Sequence, residues 1–367
     1  MALYIHQKAG WPDFTWDETK LSVVLGEVRY FQGKIAGRMD ALGFSTRTEA
    51  MLKTLTEDVL KSTEIEGEVL SSDQVRSSIA RRLGLEIAGL VPSDRKVEGV
   101  VEMTLDATQN YDQELTEERL FGWQSSLFPS GRSGMFTIVT GKWRDNDKGP
   151  MQVVSGPIGR EMVHFEAPDA DSLEKEMALF LQWFNQTSNI DPVIKSGIAH
   201  LWFVTIHPFD DGNGRIARAI ADMLLTRADG NARRYYSMSS QIRHRRNGYY
   251  AILEKTQKNG LDITEWLEWF LSCLYESLLT TDETLNIVLR RVEFWDKHPA
   301  TSLNERQRLV ISKMQEDFFG KLTSSKWAKI TKSSQDTAGR DIQDLVAKGI
   351  LAKDNAGGRS TAYDLLW

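Results

Sequence analysis

Apolar residues recur every three or four positions over most of this chain, which is the spacing of amphipathic helices. Longer helical segments of this kind are predicted at 173–184, 193–206 and 263–279. An earlier pattern follows the same spacing through Met51, Leu52, Leu55, Val59 and Leu60. The pattern predicts a mainly α-helical protein whose first hundred residues form a small helical domain that ends near 89–92.

The segment from 137 to 167 departs from the helical spacing. Two short runs there, 151–154 and 162–165, are rich in residues that favour strands. Residues that mark turns surround these runs: Gly141, Gly149, Pro150, Gly156, Pro157 and Gly159. The segment therefore predicts a β-hairpin inserted between helices.

The last part of the chain has its own order of elements. Helical patterns at 305–315, 324–331 and 334–348 precede two short strands predicted around Asn355, Gly357 and Gly358. Three helices followed by a hairpin is the order of a winged helix. A helix through Leu285, Val288 and Val292 is predicted to join this tail to the rest. The predicted domains are 1–92, 93–280, a linker helix at 281–300, and 301–367.

Composition narrows the class of protein. The chain has 367 residues, of which 41% are hydrophobic and 26% charged, as in folded soluble proteins. No apolar run approaches the ~20 residues that cross a bilayer, and the N-terminus lacks the pattern of a signal peptide. Cys273 is the only cysteine, which excludes an intrachain disulfide and a cysteine zinc site. We expect a cytoplasmic protein without a membrane partner.

Charge is unevenly distributed along the chain. The net charge is −6, but residues 301–367 carry eleven Lys and Arg against eight Asp and Glu, which gives +3 there and −9 elsewhere. A basic tail therefore follows an acidic body, and coating of nucleic acid by the whole chain is not expected.

The segment 206–218, with the sequence IHPFDDGNGRIAR, carries the strongest chemical signal. A helix is predicted to end at His207, and a new apolar helix face begins at Ile216. Between them, Gly212 and Gly214 allow backbone N–H groups to approach a ligand at the positive end of the new helix. This combination predicts a phosphate-binding turn.

The side chains of this turn suit nucleotide chemistry. Asp211 offers the hard carboxylate oxygen that Mg²⁺ prefers. Arg215 and Arg218, three positions apart on one helix, can both turn toward the same phosphate chain. His207 has a pKa suited to accepting a proton from a hydroxyl near neutral pH. His200, seven positions earlier, is interpreted as an ordinary packing residue.

The string HPFDDGNGRIAR matches the signature HxFx(D/E)GNGRxxR, so the chain resembles the Fic (filamentation induced by cAMP) family over roughly 116–270. The predicted hairpin resembles the Fic flap, which aligns the target segment. The resemblance implies a mainly α fold: a Fic helical core with a β-hairpin flap, between an N-terminal helical domain and a C-terminal winged helix. It also implies transfer of AMP from ATP, with Mg²⁺ as cofactor, to Tyr, Ser or Thr hydroxyls of proteins.

Roles follow from the resemblance position by position. His207 is the implied general base, Asp211 the Mg²⁺ ligand, and Arg218 the γ-phosphate ligand. The implied contacts to the α- and β-phosphates come from Gly212, Asn213, Gly214 and Arg215. The implied flap edge, near the nucleotide, is Val154, Ser155 and Gly156. Tyr250 and Gln257 match positions near the nucleobase or ribose.

A second motif lies earlier in the chain. The segment 62–67, with the sequence STEIEG, matches the (S/T)xxxE(G/N) pattern of the Fic inhibitory helix, which includes Ser62, Glu66 and Gly67. Because the motif precedes the core, the chain resembles the class whose inhibitory helix is N-terminal. The resemblance implies that Glu66 pairs with Arg218 and takes the place of the γ-phosphate. It also allows a role for Glu66 in removing AMP from modified targets.

The tail is compatible with two kinds of partner. Its third helix, 334–348, is the predicted recognition helix. Basic residues near it favour DNA binding: Lys329, Lys332, Arg340, Lys348 and Arg359. Acidic residues interrupt this helix, namely Asp336, Asp341 and Asp344, and winged helices also dock proteins.

The sequence also leaves open which reaction the protein catalyses and whether it forms a dimer. The chain could be a transcription regulator whose core senses nucleotide, or a transferase of UMP or phosphocholine. We also expect self-modification, and the aromatic N-terminal region and the tail offer surfaces for a homodimer.

Overall fold

The fold is described from a computed structural model of the chain, which divides into two compact units, Met1–Thr281 and Asp282–Trp367. Most of the ordered elements are helices, which confirms the predicted mainly α class. The structure describes residues 4–87, 89–147, 149–157, 159–298, 302–315, 318, 320–354 and 361–366.

Three helices form the N-terminal part of the first unit: α1 (Glu18–Asp40), α2 (Phe44–Ile65) and α3 (Ser72–Arg82). The predicted apolar spacing is present on α2, where Leu52, Leu55 and Val59 are buried. These residues fall on one face because an α-helix turns once every 3.6 residues. The buried face fixes α2 against the body of the unit, so the end of this helix has a defined position.

The other helices that begin in the first unit are α4 (Arg95–Gln109), α5 (Glu117–Leu127), α6 (Leu173–Asn185), α7 (Pro192–Ile206), α8 (Asn213–Asp229), α9 (Met238–His244), α10 (Arg246–Gln257) and α11 (Thr264–Lys297). Helices α7 and α8 pack against each other. Every residue of α7 from Val193 to Ile206 is buried. The predicted helix is therefore present with nearly the predicted bounds, but the prediction that it is amphipathic was wrong. A helix enclosed on all sides needs no polar face.

Close contact between helices explains one glycine of α7. A Cβ at Gly197 would lie 2.9 Å from Leu267 and 3.2 Å from Phe270, both on α11. The absence of a side chain lets α11 pack directly on the backbone of α7. The indole N–H of Trp266 also donates to the Gly197 carbonyl over 2.8 Å.

The predicted hairpin is present. Strands β3 (Gln152–Ser155) and β4 (Met162–Glu166) pair antiparallel, with Gln152 opposite Glu166 and Ser155 opposite Met162. A smaller antiparallel pair, β1 (Arg132–Ser133) and β2 (Phe136–Thr137), was not predicted. Two residues a strand are too few to give an alternating pattern.

The second unit has the predicted order of helices. These are α12 (Glu305–Met314), α13 (Ser324–Thr331) and α14 (Gln335–Ala347), each capped at its N-terminus by a side chain from Asn304, Thr323 or Ser334. Strands β5 (Leu351–Lys353) and β6 (Tyr363–Leu365) pair antiparallel. The strand positions predicted at Asn355, Gly357 and Gly358, and the wing residue Arg359, lie outside the described residues. The winged-helix identity stays a prediction.

Two expectations about the end of the chain need correction. The helix predicted through Leu285 is present, but as the C-terminal part of α11, which runs for 34 residues from Thr264 to Lys297, and not as a separate linker helix. Asp341, predicted to interrupt a basic face, is buried and pairs with Arg306 over 2.8 Å. The Asp341 carboxylate is therefore engaged in an ion pair within the second unit and does not interrupt a basic surface. Among the described residues, no helix combines the length and apolarity needed to cross a membrane.

Candidate active site

The turn between α7 and α8 is the centre of the candidate site. Helix α7 ends at Ile206, and His207 takes a left-handed conformation with φ 52°. Gly212 has φ 91°, a conformation that costs glycine little. The buried amide of Asn213 closes the turn: its Nδ2 donates to the Phe209 carbonyl over 2.7 Å, and its Oδ1 accepts from the Phe209 N–H over 3.0 Å. Because the side chain of Asn213 is engaged within the turn, its backbone N–H is the group that can make the predicted phosphate contact.

The imidazole of His207 is held in one tautomer. Its Nδ1 lies 3.1 Å from the carbonyl oxygen of Val204, which can only accept, so Nδ1 carries the hydrogen. The Nε2 atom then keeps its lone pair. Burial lowers the pKa of His207 below its ordinary value, and the charge of Arg144 acts in the same direction. A neutral ring with a free Nε2 is the form that can accept a proton.

Arg144 supports the histidine turn from outside. Its Nε donates to the His207 carbonyl over 2.8 Å, and its backbone N–H donates to the Pro208 carbonyl over 2.9 Å. The guanidinium is almost fully buried. Sequence reasoning missed this residue, because nothing near Arg144 in the sequence resembles a motif.

Asp211, the predicted metal ligand, lies at the edge of the turn. Its side chain is 41% exposed, and one of its oxygens accepts a hydrogen bond from the hydroxyl of Ser133 in β1. Arg215 approaches the other oxygen to 4.0 Å. Ser133 was also missed, since it belongs to a strand pair that the sequence did not reveal. Among the described residues, no group of three or more His, Cys, Asp or Glu side chains could hold a metal ion.

The structure contains the ion pair expected between Glu66 and Arg218. Nη2 of Arg218 lies 2.7 Å from Oε1 of Glu66 and donates to the Ser62 carbonyl over 2.9 Å. Nε of Arg218 donates to the Ser62 hydroxyl, also over 2.9 Å. The guanidinium is 2% exposed. Two of the three predicted residues of the inhibitory motif thus bind Arg218 directly.

The Glu66 carboxylate lies against the first turn of α8. A Cβ placed on Gly214 would collide with Oε1 of Glu66. Burial by itself would raise the pKa of Glu66, but the charge and hydrogen bond of Arg218, with the charges of Arg215 and Arg246, outweigh it and lower the pKa. An anion therefore already occupies the N-terminal turn of α8, where helix N–H groups favour negative charge.

A second carboxylate, Glu68, reaches the other arginine of the turn. Nη1 of Arg215 lies 3.3 Å from Oε2 of Glu68, and Nζ of Lys96 lies 3.0 Å from its Oε1. The Arg215 guanidinium also faces the ring of Phe128 at 5.0 Å. Glu68 was not among the predicted site residues, because it follows the inhibitory motif rather than belonging to it.

The hairpin β3–β4 is tied to α10 by a chain of polar side chains. The Ser155 hydroxyl lies 2.6 Å from Nε2 of His164, and Nδ1 of His164 lies 2.8 Å from Glu254 on α10. Val154 is 47% exposed, and Gly156 has φ 103° at the end of β3. The predicted flap residues thus lie on an exposed strand edge whose orientation depends on His164.

Two residues assigned to the nucleobase or ribose differ in accessibility. Tyr250 is 37% exposed, and its hydroxyl lies 3.4 Å from Oε2 of Glu66. Gln257 is buried, and its Nε2 donates to the hydroxyl of Thr205 over 3.2 Å. His200 is buried and bonded to Tyr249 over 2.8 Å, and burial lowers its pKa to about 3, as suits a packing residue.

Comparison with protein families finds two matches. The family model described as "Fic/DOC family" matches residues 114–225, and "Domain of unknown function (DUF4172)" matches residues 4–85. Among curated proteins, the protein adenylyltransferase Fic of Drosophila yakuba is 32% identical over 124 residues, which are 33% of this chain and 22% of that protein. The Drosophila grimshawi protein of the same name is 31% identical over 124 residues, 33% of this chain and 23% of its own length. The matches span less than a quarter of these relatives.

Two solved structures share the fold. A Fic family protein from Desulfovibrio desulfuricans aligns with a TM-score of 0.54 and 23% identity, covering 94% of this chain and 95% of that one. A Fic domain containing signaling protein from Bacteroides thetaiotaomicron aligns with a TM-score of 0.52 and 21% identity, covering 71% of this chain and 98% of its own. At these identities the likeness concerns the fold alone.

Proposed function

Because this chain is a Fic family protein, we propose that it is a protein adenylyltransferase that moves AMP from ATP to a hydroxyl of a target protein. The observation that supports this proposal most is the arrangement of the turn between α7 and α8. A neutral imidazole with a free Nε2, a half-exposed carboxylate and the N-terminus of a helix meet there. Proton acceptance, metal binding and phosphate binding are the three functions that nucleotidyl transfer requires.

The residues present fit a magnesium ion. Asp211 offers oxygens on an accessible side chain, and Mg²⁺ usually takes one or two carboxylates together with phosphate oxygens and water. When bound, Mg²⁺ neutralises phosphate charge. Ser133 fixes the rotation of the Asp211 carboxylate through its hydrogen bond. A single carboxylate of fixed orientation suits an ion held mainly by the nucleotide.

His207 has the central role in the proposed reaction. The attacking hydroxyl gives its proton to Nε2 of His207, its oxygen forms a bond to the α-phosphorus, and the bond from that phosphorus to pyrophosphate breaks. Val204 and Arg144 hold the ring and its backbone in one orientation, in which Nε2 keeps its lone pair. A well-placed base contributes a factor of roughly 10²–10⁴ to the rate. Arg215 and the N–H groups of α8 bind the phosphate oxygens.

We assign Glu66 the inhibitory role in this scheme. Its carboxylate binds Arg218, the proposed γ-phosphate ligand, and it lies against Gly214. A phosphate group at the same place would meet both a steric obstacle and a like charge. Removal of Glu66 frees the arginine and the helix N-terminus together.

Labelled ATP tests the proposal in a Glu66→Gly variant. We expect AMP label on protein, including the chain itself, to increase at least about tenfold over the wild type, and adding His207→Ala to abolish most of the gain. Glu64→Gly is the matched control, because Glu64 pairs with Lys61 and Arg243 instead of the turn. A Glu66→Gly protein that binds ATP but labels no protein would contradict the assignment.

The same assay separates the remaining predicted activities. UTP and a phosphocholine donor, offered in place of ATP, test transfer of another group. Loss of label after incubation of modified protein with enzyme and Mg²⁺ tests removal of AMP. Target identity, self-modification, DNA binding by the tail, a homodimer and a cytoplasmic location stay predictions. A purely nucleotide-sensing regulator has no use for the base, so ATP binding without AMP label on any protein would favour a sensing role, whereas an unaltered label in His207→Ala would contradict the role of His207 as the base.

A further inference from the structure

The segment that follows α2 brings two carboxylates to the candidate site. Glu66 meets Arg218 at 2.7 Å, and Glu68 meets Arg215 at 3.3 Å. Each arginine of the turn is therefore paired with one acid from the same short segment. The proposed inhibition through Glu66 accounts for the first pair and leaves the second without a role.

The end of α2 explains why both acids face α8. The Gly67 N–H donates to the Glu64 carbonyl and the Glu68 N–H donates to the Thr63 carbonyl, over 3.1 and 3.2 Å. These two bonds, with Gly67 at φ 85°, form a Schellman motif, in which the chain reverses around a left-handed glycine. Glu66 is the last residue before that glycine and Glu68 the first after it. One capping motif thus fixes the positions of both carboxylates.

Arg215 has little freedom to move away from Glu68. Its guanidinium is 3% exposed, lies 4.0 Å from Asp211 and faces the ring of Phe128. Glu68 is 35% exposed and divides its two oxygens between Arg215 and Lys96. Lys96 therefore competes with Arg215 for the same carboxylate.

We propose that Glu68 is a positioning residue that weakens triphosphate binding by holding Arg215, and that Lys96 moderates this hold. The inference rests on the proposed nucleotide site. A triphosphate is a polyanion, so a carboxylate beside its binding arginine both repels it and engages a donor that it needs. Departure of Glu66 from Arg218 then releases the main inhibition, and departure of Glu68 from Arg215 strengthens triphosphate binding further.

Calorimetric titration of ATP and Mg²⁺ into the full chain carrying Glu66→Gly tests the inference. Adding Glu68→Gln should tighten the dissociation constant about three- to fivefold, the size expected for a partly exposed ion pair. Adding Lys96→Met should weaken binding about twofold, because Glu68 then acts on Arg215 alone. Glu64→Gln removes one negative charge from the same helix end and should leave the constant unchanged.

Adenosine is the probe that separates a phosphate effect from a structural one. It lacks phosphates, so its affinity should be the same in Glu68→Gln and in the Glu64→Gln control. If ATP binds and Glu68→Gln tightens it no more than Glu64→Gln does, the role of Glu68 is wrong while the proposed function stands. Equal tightening of adenosine and ATP also overturns it. If ATP binds to none of these variants, the nucleotide site and this inference both fail.

Discussion

At the residue scale, His207 shows how backbone contacts prepare a side chain for chemistry. The histidine ends α7 in a left-handed conformation that non-glycine residues seldom adopt. Bonds from Arg144 to the carbonyls of His207 and Pro208 hold this conformation in place. The Val204 carbonyl selects the tautomer. The ring is therefore ready to accept a proton before any substrate arrives.

The lowered pKa of His207 gives a prediction about pH. The neutral ring is the base, so transfer by Glu66→Gly protein should rise as pH increases through the pKa of His207 and then level off. Burial lowers this pKa below the ordinary value of 6.5, so the half-maximal rate should fall below pH 6.5. Initial rates of AMP labelling between pH 5 and 8 measure it. A half-maximal rate above pH 6.5 would contradict the buried, neutral imidazole.

At the element scale, the position of α2 depends on a buried charged cluster two turns before Glu66. Asp58 on α2 is 3% exposed and accepts a hydrogen bond from the Ser237 hydroxyl at the start of α9. Arg234 pairs with Asp222 of α8 over 2.5 Å. Burial, together with the charge of Asp222, raises the pKa of Asp58 to about 7, against the opposing effect of Arg234. Two carboxyls share one arginine, so Asp58 gains little from being ionised.

This cluster predicts a stability change with pH. The folded chain keeps a proton on Asp58 between pH 4 and 7, where the unfolded chain has lost it, so the stabilisation declines as pH rises through 7. Asp58→Asn keeps the bond to Ser237 without the charge. Relative to the wild type, it should raise the thermal midpoint by about 2–4 °C more at pH 8 than at pH 5. Scanning calorimetry at both values measures the shift, and an equal shift at both would rule out titration of Asp58.

Polar side chains also help to position the β3–β4 hairpin. A strand pair with mostly exposed residues has little apolar burial to fix it. Hydrogen bonds that link Ser155, His164 and Glu254 add a polar attachment to α10. The orientation of the predicted flap thus depends on these three polar side chains together with Phe165 of β4, which is buried against the rings of Tyr4 and His6.

At the scale of the whole molecule, all residues of the candidate site lie in the first compact unit. The second unit has its own core of Phe294, Val310, Ile311, Trp327, Ile342 and Leu345, among others. Each unit thus buries a separate set of apolar side chains, as independent domains do. Helix α11 begins in the first unit and ends in the second.

A chain that ends at Thr281 should therefore keep the proposed nucleotide site. We expect its dissociation constant for ATP and Mg²⁺ to stay within about twofold of the full chain, because every proposed phosphate ligand remains. Calorimetry measures the affinity, and circular dichroism confirms that the shortened chain is helical. A folded fragment that no longer binds ATP would show that the tail takes part in the site.

Much of the site was predictable because its residues are adjacent in sequence. The motif from His207 to Arg218 occupies one turn and the start of one helix, so spacing alone brings its groups together. The pair of Glu66 and Arg218 joins residues 152 positions apart, and only the resemblance to a family indicated it. Ser133, Arg144 and Glu68 were missed, since each reaches the turn from a distant element without a motif of its own.

The sequence by itself determined the mainly helical class, the hairpin and the glycine-containing turn between α7 and α8, because local spacing and turn residues set these features. Only the tertiary structure decided that α7 is enclosed on all sides, that α11 is a single helix, and that Glu66 and Glu68 meet Arg218 and Arg215. The physical reason is that burial and charge pairing depend on which elements pack together. Which elements pack together depends on the whole chain. In this fold the packing places the carboxylates of Glu66 and Glu68 against Arg218 and Arg215, which the motif alone does not predict.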